Sequence, residues 1–532
     1  MKELVLLVVL LLVSVGTTLE KEFNDRYHED QQIETEEYDF YNFTLPSDFH
    51  LGVSSAAYQY EGAWDEGGKG ESIWDRYIHT YPEAIADGTN GDVAADFYHK
   101  YKEDIKRVKD LGLDTFRFSI AWPRIMPTGL IDSVNQEGID FYDDVINEVI
   151  KNGISPMVTM YHWDLPQYLQ DLGGWTNEII VDYFEDYADV LYSYYGDRVK
   201  LWLTLNEPTK GVDGYGGNVT GLGYAPNVSA AGIGTYLAGH TMLKAHARAY
   251  HLYNNKYREF QKGRISLALE TFWYEPQDSN SESDHEAALQ AIEFNLGWFA
   301  NPIFSKEGDY PTVMKKRIAE NSYQEGYLKS RLPQFSTEEV KYIRGTADFF
   351  GLNQYTTNRA TFGENGPSPS YTRDTGVTLV APSDWPASET SEWEKIVPKG
   401  LRKVLNYIKD RYGKKWEIVI TENGFIDDGE IMDSQRIVYI ATYMIEMWKA
   451  MYIDGVRVVG YMIWSLLDNM EWTSGYRSRS GLFHVDFYHP DKIRTPKKST
   501  ELVKTIAKTR RIPEKYVDHV KELDQLEFHN YS

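Results

Sequence analysis

DTFRFSIAW (residues 114–122), ISPMVTMYH (154–162) and KLWLTLNEP (200–208) are three short runs rich in β-branched, aliphatic and aromatic residues. Two longer segments, 137–152 and the aromatic-rich 178–195, separate them and carry apolar residues at helical spacing. Gly153 and Gly196 stand where those helices should stop. Strand, helix, strand, helix, strand is the β/α pattern of parallel sheets.

The alternation extends in both directions. Upstream lie a strand candidate at 51–60 and a helical stretch at 96–111 that ends at Gly112. Downstream come RISLALE (264–270), ADFFGLNQY (347–355), WEIVITENG (416–424) and RVVGYMIWSLLDN (457–469), with a helical segment at 500–510 after them. Eight strand-then-helix units without a break favour a closed barrel over a doubly wound sheet. The fold class expected is therefore α/β, a single (β/α)8 TIM-type barrel over residues 43–512. Its long segments after the first, fourth, sixth and eighth strands should be loops on the C-terminal face, where such barrels keep their active sites.

At 532 residues, with 42% hydrophobic residues, the chain has enough apolar material for that core. The net charge of −25 would repel phosphate backbones and anionic headgroups, so nucleic acid is not an expected partner. Cysteine is absent, which removes disulfides, thiolate metal ligands and thiol nucleophiles together. Lys2, the apolar run 4–15 and the small residues before Glu20 have the layout of a secretory signal peptide, assigned to 1–18. No other stretch approaches the length of a membrane span. An acidic arm (19–42) would follow the leader, and 513–532 would be a C-terminal tail. Asn-x-Ser/Thr triplets at Asn42, Asn218, Asn227 and Asn530 would be glycan acceptors on the secretory route.

Polar and ionisable residues collect at the C-terminal ends of the strand candidates: Gln59, Glu61, Arg117, His162, Asn206, Glu207, Asn353, Tyr355, Glu422, Trp464 and Glu471. In a barrel these ends converge on one mouth. Glu207 and Glu422 each follow a hydrophobic strand directly and precede a turn residue, so they belong to opposite walls of one pocket. Two carboxyls flanking a bond suit glycoside hydrolysis, one protonating the leaving oxygen and the other meeting the oxocarbenium-like carbon. Without cysteine or a His-Glu-x-x-His helix, a metal site is not expected.

TLNEP and ITENG, in this order on the fourth and seventh strands, resemble the acid/base and nucleophile motifs of glycoside hydrolase family 1, the β-glucosidase family. The resemblance extends to SAAYQYEG (55–62), GKGESIWD (68–75), FRFSIAWPRI (116–125), MYHWDLPQYLQDLGGW (160–175), GLNQY (351–355) and GYMIWSLLDNMEW (460–472). It implies that Glu207 is the acid/base and Glu422 the nucleophile of a retaining mechanism, with the carboxyls about 5 to 5.5 Å apart. Arg117 and Tyr355 would hold Glu422 ionised, while burial and the negative Glu422 would raise the pKa of Glu207. Gln59, His162, Asn206, Asn353, Glu471 and Trp472 match hydroxyl-binding positions, with Gln59 and Glu471 sharing the 4-hydroxyl and Trp464 stacking under the sugar. No cofactor is implied.

The chain departs from the family pattern where an aromatic residue usually follows the Glu-Trp pair. Here the sequence reads Arg477-Ser478-Arg479-Ser480-Gly481, so Ser480 would open space on the aglycone side. Arg477 and Arg479 would be placed to attract an anionic aglycone group such as the sulfate of a glucosinolate. Gln354 replaces a common tyrosine and Tyr60 an aliphatic residue. The expected substrate is a β-D-glucoside. A myrosinase-type thioglucosidase with the same residues is the alternative, a β-galactosidase or β-fucosidase within the family a further rival, and a non-catalytic sugar-binding member the rival from another class. The oligomeric state is not legible.

Overall fold

The structure, a computed structural model, describes residues 43–217, 223–388, 390–514 and 516. All eight runs form strands: β1 (His50–Ser54), β2 (Thr115–Ser119), β3 (Ser155–Tyr161), β4 (Leu201–Asn206), β5 (Arg264–Glu270), β6 (Phe350–Asn353), β7 (Ile418–Gly424) and β8 (Val458–Trp464). They close into a parallel barrel in the order β1-β8-β7-β6-β5-β4-β3-β2. The helices expected between them are present, among them Phe97–Asp110, Gln136–Lys151, Ile180–Tyr195 and Ser499–Thr509. At 153 the chain turns through a left-handed residue (φ +76°), a conformation glycine adopts without the Cβ penalty.

Inside the barrel Met157, Leu201, Leu203, Ala268, Phe349, Val419 and Met462 form a packed layer. Strand side chains alternate, so the residues beyond this layer that point inward face the mouth. The pairing register shifts between Leu203 and Asn206 on β4 and after Ile420 on β7. Such irregularities re-aim side chains, and here both sit in the motifs that carry the two glutamates. A Cβ at Gly424 would lie 1.8 Å from the carbonyl oxygen of Trp464, so β7 can meet β8 this closely only with glycine there.

The first, sixth and last strands are shorter than their sequence runs. Ala57–Tyr60 is a helical turn, and the chain leaves the sheet after Trp464. Beyond β5 and β6, Trp273–Pro276, Thr357–Phe362 and Val377–Val380 add a three-stranded sheet, while Phe483–Val485 pairs with Arg494–Pro496 after β8. No helix among the described residues is long and apolar enough to cross a membrane. The leader, the acidic arm, all of the C-terminal tail except Pro513, Glu514 and Tyr516, and the triplets at Asn42, Asn218 and Asn530 lie outside the described residues. Asn227 occupies a loop at φ +59°.

Candidate active site

Arg117, fully buried on β2, is the hub of the mouth. Its Nη1 donates to Glu422 Oε1 (2.5 Å) and to the carbonyl of Thr421 (2.9 Å), its Nη2 to Asn206 Oδ1 (2.6 Å) and its Nε to Thr159 Oγ1 (3.1 Å). Tyr355 donates its hydroxyl to the other Glu422 oxygen at 2.5 Å. Both oxygens of Glu422 thus accept from fixed donors. The Tyr355 main chain is itself anchored, its carbonyl accepting from the Tyr439 and Tyr443 hydroxyls at 2.6 and 2.9 Å.

Asn353, at the end of β6, links this group to the second glutamate. Its Nδ2 donates to Glu207 Oε1 (2.7 Å) and Asn206 Oδ1 (3.1 Å), and its Oδ1 accepts from Thr421 Oγ1 (2.6 Å). One continuous chain therefore runs Glu422, Arg117, Asn206, Asn353, Glu207. Glu207 sits in the left-handed region (φ +41°), a strain that costs energy unless the surroundings fix it. Burial, and then the negative charges of Glu422 and Glu270, push its pKa well above the ordinary glutamate range; the Asn353 hydrogen bond opposes this.

Because Asn206 Oδ1 accepts twice, its Nδ2 is the donor to His162 Nε2 at 3.0 Å. Burial, aided by Arg117, drives the His162 pKa well below 6.5, so the ring is neutral with its proton on Nδ1. That Nδ1 and Gln59 Oε1 have no partner among the described residues. Buried polar atoms without partners inside a pocket are what a polyhydroxylated ligand satisfies. Gln59 Nε2 donates to Asn469 Oδ1 (3.0 Å), the carbonyl of Met470 (3.2 Å) and Glu471 Oε2 (3.4 Å), which joins it to Glu471. Burial, then Glu422, raise Glu471 to about 8, against the pull of Gln59. Below that pH it is mostly protonated and can donate as well as accept.

Trp464 lies against His162 (6.0 Å, 24°), and Trp472 packs between His162 (5.9 Å), Trp163 (4.5 Å) and Trp74 (4.6 Å). The structure thus gathers Gln59, Arg117, His162, Asn206, Glu207, Asn353, Tyr355, Glu422, Trp464, Glu471 and Trp472 into one site.

Three other expected positions are occupied differently. Glu61 is held away from this group by Arg124 Nε (3.2 Å) and the Tyr142 hydroxyl (2.6 Å). Arg479 donates to Val485 O (3.0 Å), contacts Asp468 (3.5 Å) and covers the Phe487 ring, so its charge is spent inside the loop. Ser480 is buried and opens no space: its hydroxyl bonds Ser465 (3.1 Å) and accepts from Asn469 Nδ2 (3.2 Å). Of the three aglycone-side candidates only Arg477 is exposed. Gln354 and Tyr60 are buried, the latter against Phe97 at 4.4 Å.

Sequence reasoning passed over Trp163, whose Nε1 donates to the carbonyl of Asn206 (2.8 Å), and Asn469, which braces Gln59. It also passed over Glu270 at the end of β5. Position at a strand end was the available signal for Glu270 and adjacency to His162 for Trp163.

A closed β/α barrel with two carboxyls in unlike surroundings at its C-terminal mouth is the architecture of a glycosidase. Residues 41–512 match the model of "Glycosyl hydrolase family 1". Myrosinase 1 of Brevicoryne brassicae is 47% identical over 88% of this chain and 99% of its own length. The cytosolic beta-glucosidase of Homo sapiens is 44% identical over 85% of this chain and 95% of its own. The solved aphid myrosinase superposes with a TM-score of 0.84 at 46% identity, covering 88% of this chain and all of that one. The chain belongs to glycosyl hydrolase family 1 and is a β-glycosidase.

Proposed function

We propose that the protein hydrolyses β-D-glucosides with retention, through a glucosyl ester on Glu422 and with Glu207 as acid/base. The observation that carries this reading is the single hydrogen-bonded chain from Glu422 to Glu207. It gives Glu422 two donors, while Glu207 is buried beside negative charge. A Glu422 oxygen attacks the anomeric carbon as Glu207 gives its proton to the departing oxygen. Once the ester forms, the charge on Glu422 is gone and the main electrostatic reason for Glu207 to keep a proton falls away. Glu207 then takes a proton from water as the water attacks the anomeric carbon and releases Glu422.

Gln59, His162, Asn206, Asn353 and Glu471 would hold the sugar hydroxyls, with Trp464 and Trp472 as its aromatic walls. The name of the Brevicoryne brassicae relative supports a second reading, a thioglucosidase using the same residues. A purely sugar-binding role fits poorly with two intact carboxyls, one gripped by two donors and the other raised by burial beside negative charge. The N-terminal leader and the sequons support secretion and glycosylation, with 1–18 as signal peptide, 19–42 as arm, 43–512 as catalytic barrel and 513–532 as tail.

Hydrolysis of a chromogenic β-glucoside by wild type and Glu422→Gln tests the assignment. Loss of turnover in the variant is expected, and equal rates would refute it. Cellobiose, a β-galactoside and sinigrin on the purified protein then rank the substrate classes.

A further inference from the structure

Glu270 adds to the charge that keeps Glu207 protonated, but no step above has it touch substrate, although it stands in the mouth. It ends β5, between β4, whose end carries Asn206 and Glu207, and β6, whose end carries Asn353. Ala268 on β5 packs in the barrel core, so Glu270, two residues further, is on the same inward side. The side chain is 5% exposed, and its Oε2 has no hydrogen-bond partner among the described residues. A buried carboxylate oxygen left unpaired is costly, and a ligand group that donates to it removes the cost.

The barrel order says which part of a glucoside would meet it. Gln59 follows β1, and Trp464, Glu471 and Trp472 belong to β8 and the segment after it; these hold one side of the sugar, and His162, Asn206 and Asn353 complete its binding set. In a ring of eight, β5 lies opposite β1. Glu270 therefore faces the site from the side of Glu207, the group that meets the departing oxygen.

The charges there do not balance. Lys210 approaches Asp213 Oδ2 at 4.0 Å and is held protonated chiefly by Glu270. Two acids share one lysine, in a chain that is already negative. Phe272, two residues past Glu270 in the chain, stacks on the half-exposed Trp393 (5.8 Å, 25°), an aromatic surface on the segment that leaves β5.

Building on the glycosidase reading, we propose that Glu270 is a specificity-determining residue of the leaving-group side, favouring aryl aglycones that carry a protonated amine and disfavouring anionic ones, sulfated thioglucosides included.

The test uses three near-isosteric phenolic β-glucosides that differ at the far end of the ring: those of tyramine (cationic), tyrosol (neutral) and 4-hydroxyphenylacetate (anionic). Wild-type kcat/KM should fall in that order, with the first and last separated on the order of tenfold or more. Glu270→Gln should bring that ratio to within about threefold of unity, and Asp213→Asn, at a more exposed position, should narrow it part-way. Rates for the three substrates that lie together in the wild type, or a ratio unchanged in both variants, would overturn the proposal while leaving the glycosidase reading intact. Failure to cleave any of the three would instead sink that reading. Should Glu270→Gln not fold, the wild-type ranking and Asp213→Asn still decide.

Discussion

Tyr355→Phe removes one oxygen and nothing else. The ring has room to stay, because the Tyr355 carbonyl is pinned by two tyrosine hydroxyls and not by its own side chain. What disappears is the 2.5 Å hydrogen bond to Glu422 Oε2. Glu422 is anionic before attack, uncharged as the glucosyl ester, and anionic again as it leaves. The lost bond therefore matters most where charge returns, in breakdown of the ester. A hydrogen bond to a charged group is worth about 1.5–3 kcal/mol, which at about 1.4 kcal/mol per decade is roughly 12- to 150-fold. With an aryl glucoside bearing a good leaving group, kcat should fall by that factor and KM should fall with it as the ester accumulates. Rapid mixing should then show a burst of phenolate. The thermal midpoint should move by no more than a few degrees. An unchanged kcat would refute this reasoning, as would an equal loss in kcat and kcat/KM without a burst.

Glu207→Gln should lose about 10²- to 10⁴-fold on glucosides with poor leaving groups, much less on activated aryl glucosides. Azide, which needs no base, should restore turnover as glucosyl azide; no rescue would speak against Glu207 as acid/base. Because Glu207 keeps its proton to higher pH than an ordinary glutamate, the alkaline limb of kcat/KM should lie above the usual carboxylate range. Glu270→Gln removes one of the charges that hold that proton, so the limb should shift to lower pH; a shift upward would contradict the electrostatics. Arg117→Met should cost about 3–5 kcal/mol in denaturant unfolding, since it strands the buried Glu422 carboxylate, and a loss well under 1 kcal/mol would be inconsistent with that burial. Asp164 is buried, neither of its oxygens has a side-chain hydrogen-bond partner among the described residues, and burial raises it to about 8. The folded protein thus binds this proton more tightly than the unfolded chain, and wild-type stability drains away as pH rises from about 4 through about 8. Asp164→Asn cannot titrate, so it should gain on wild type by about 3 kcal/mol between pH 5 and pH 7. A pH-independent difference would mean an ionic partner.

The barrel was legible because its strands are short apolar runs separated by helices of ordinary spacing, and both properties are local. The strand ends were legible for the same reason: Asn206, Glu207, Asn353 and Glu422 stand directly beyond hydrophobic residues. What escaped depends on contacts between distant parts of the chain. Arg479 reads as a free loop arginine until Asp468 and Phe487 fold against it, and Ser480 reads as a gap until Asn469 and Ser465 fill it. Glu270 looked like the end of an unremarkable strand, since its isolation and its nearness to Glu207 exist only once β5 lies beside β4. The early end of β1 was hidden because Ala57–Tyr60 is buried on all sides, which erases the helical pattern of exposure.

Incubation with 2-deoxy-2-fluoro-β-D-glucosyl fluoride, followed by proteolysis and mass spectrometry, reaches the core of the account. The fluorine slows both steps while the good leaving group lets the first proceed, so the ester should accumulate. The label is expected once per chain, on the peptide containing Thr421-Glu422-Asn423-Gly424, with activity lost in step. Labelling of any other carboxylate, or hydrolysis of the reagent with no covalent adduct at all, would contradict it.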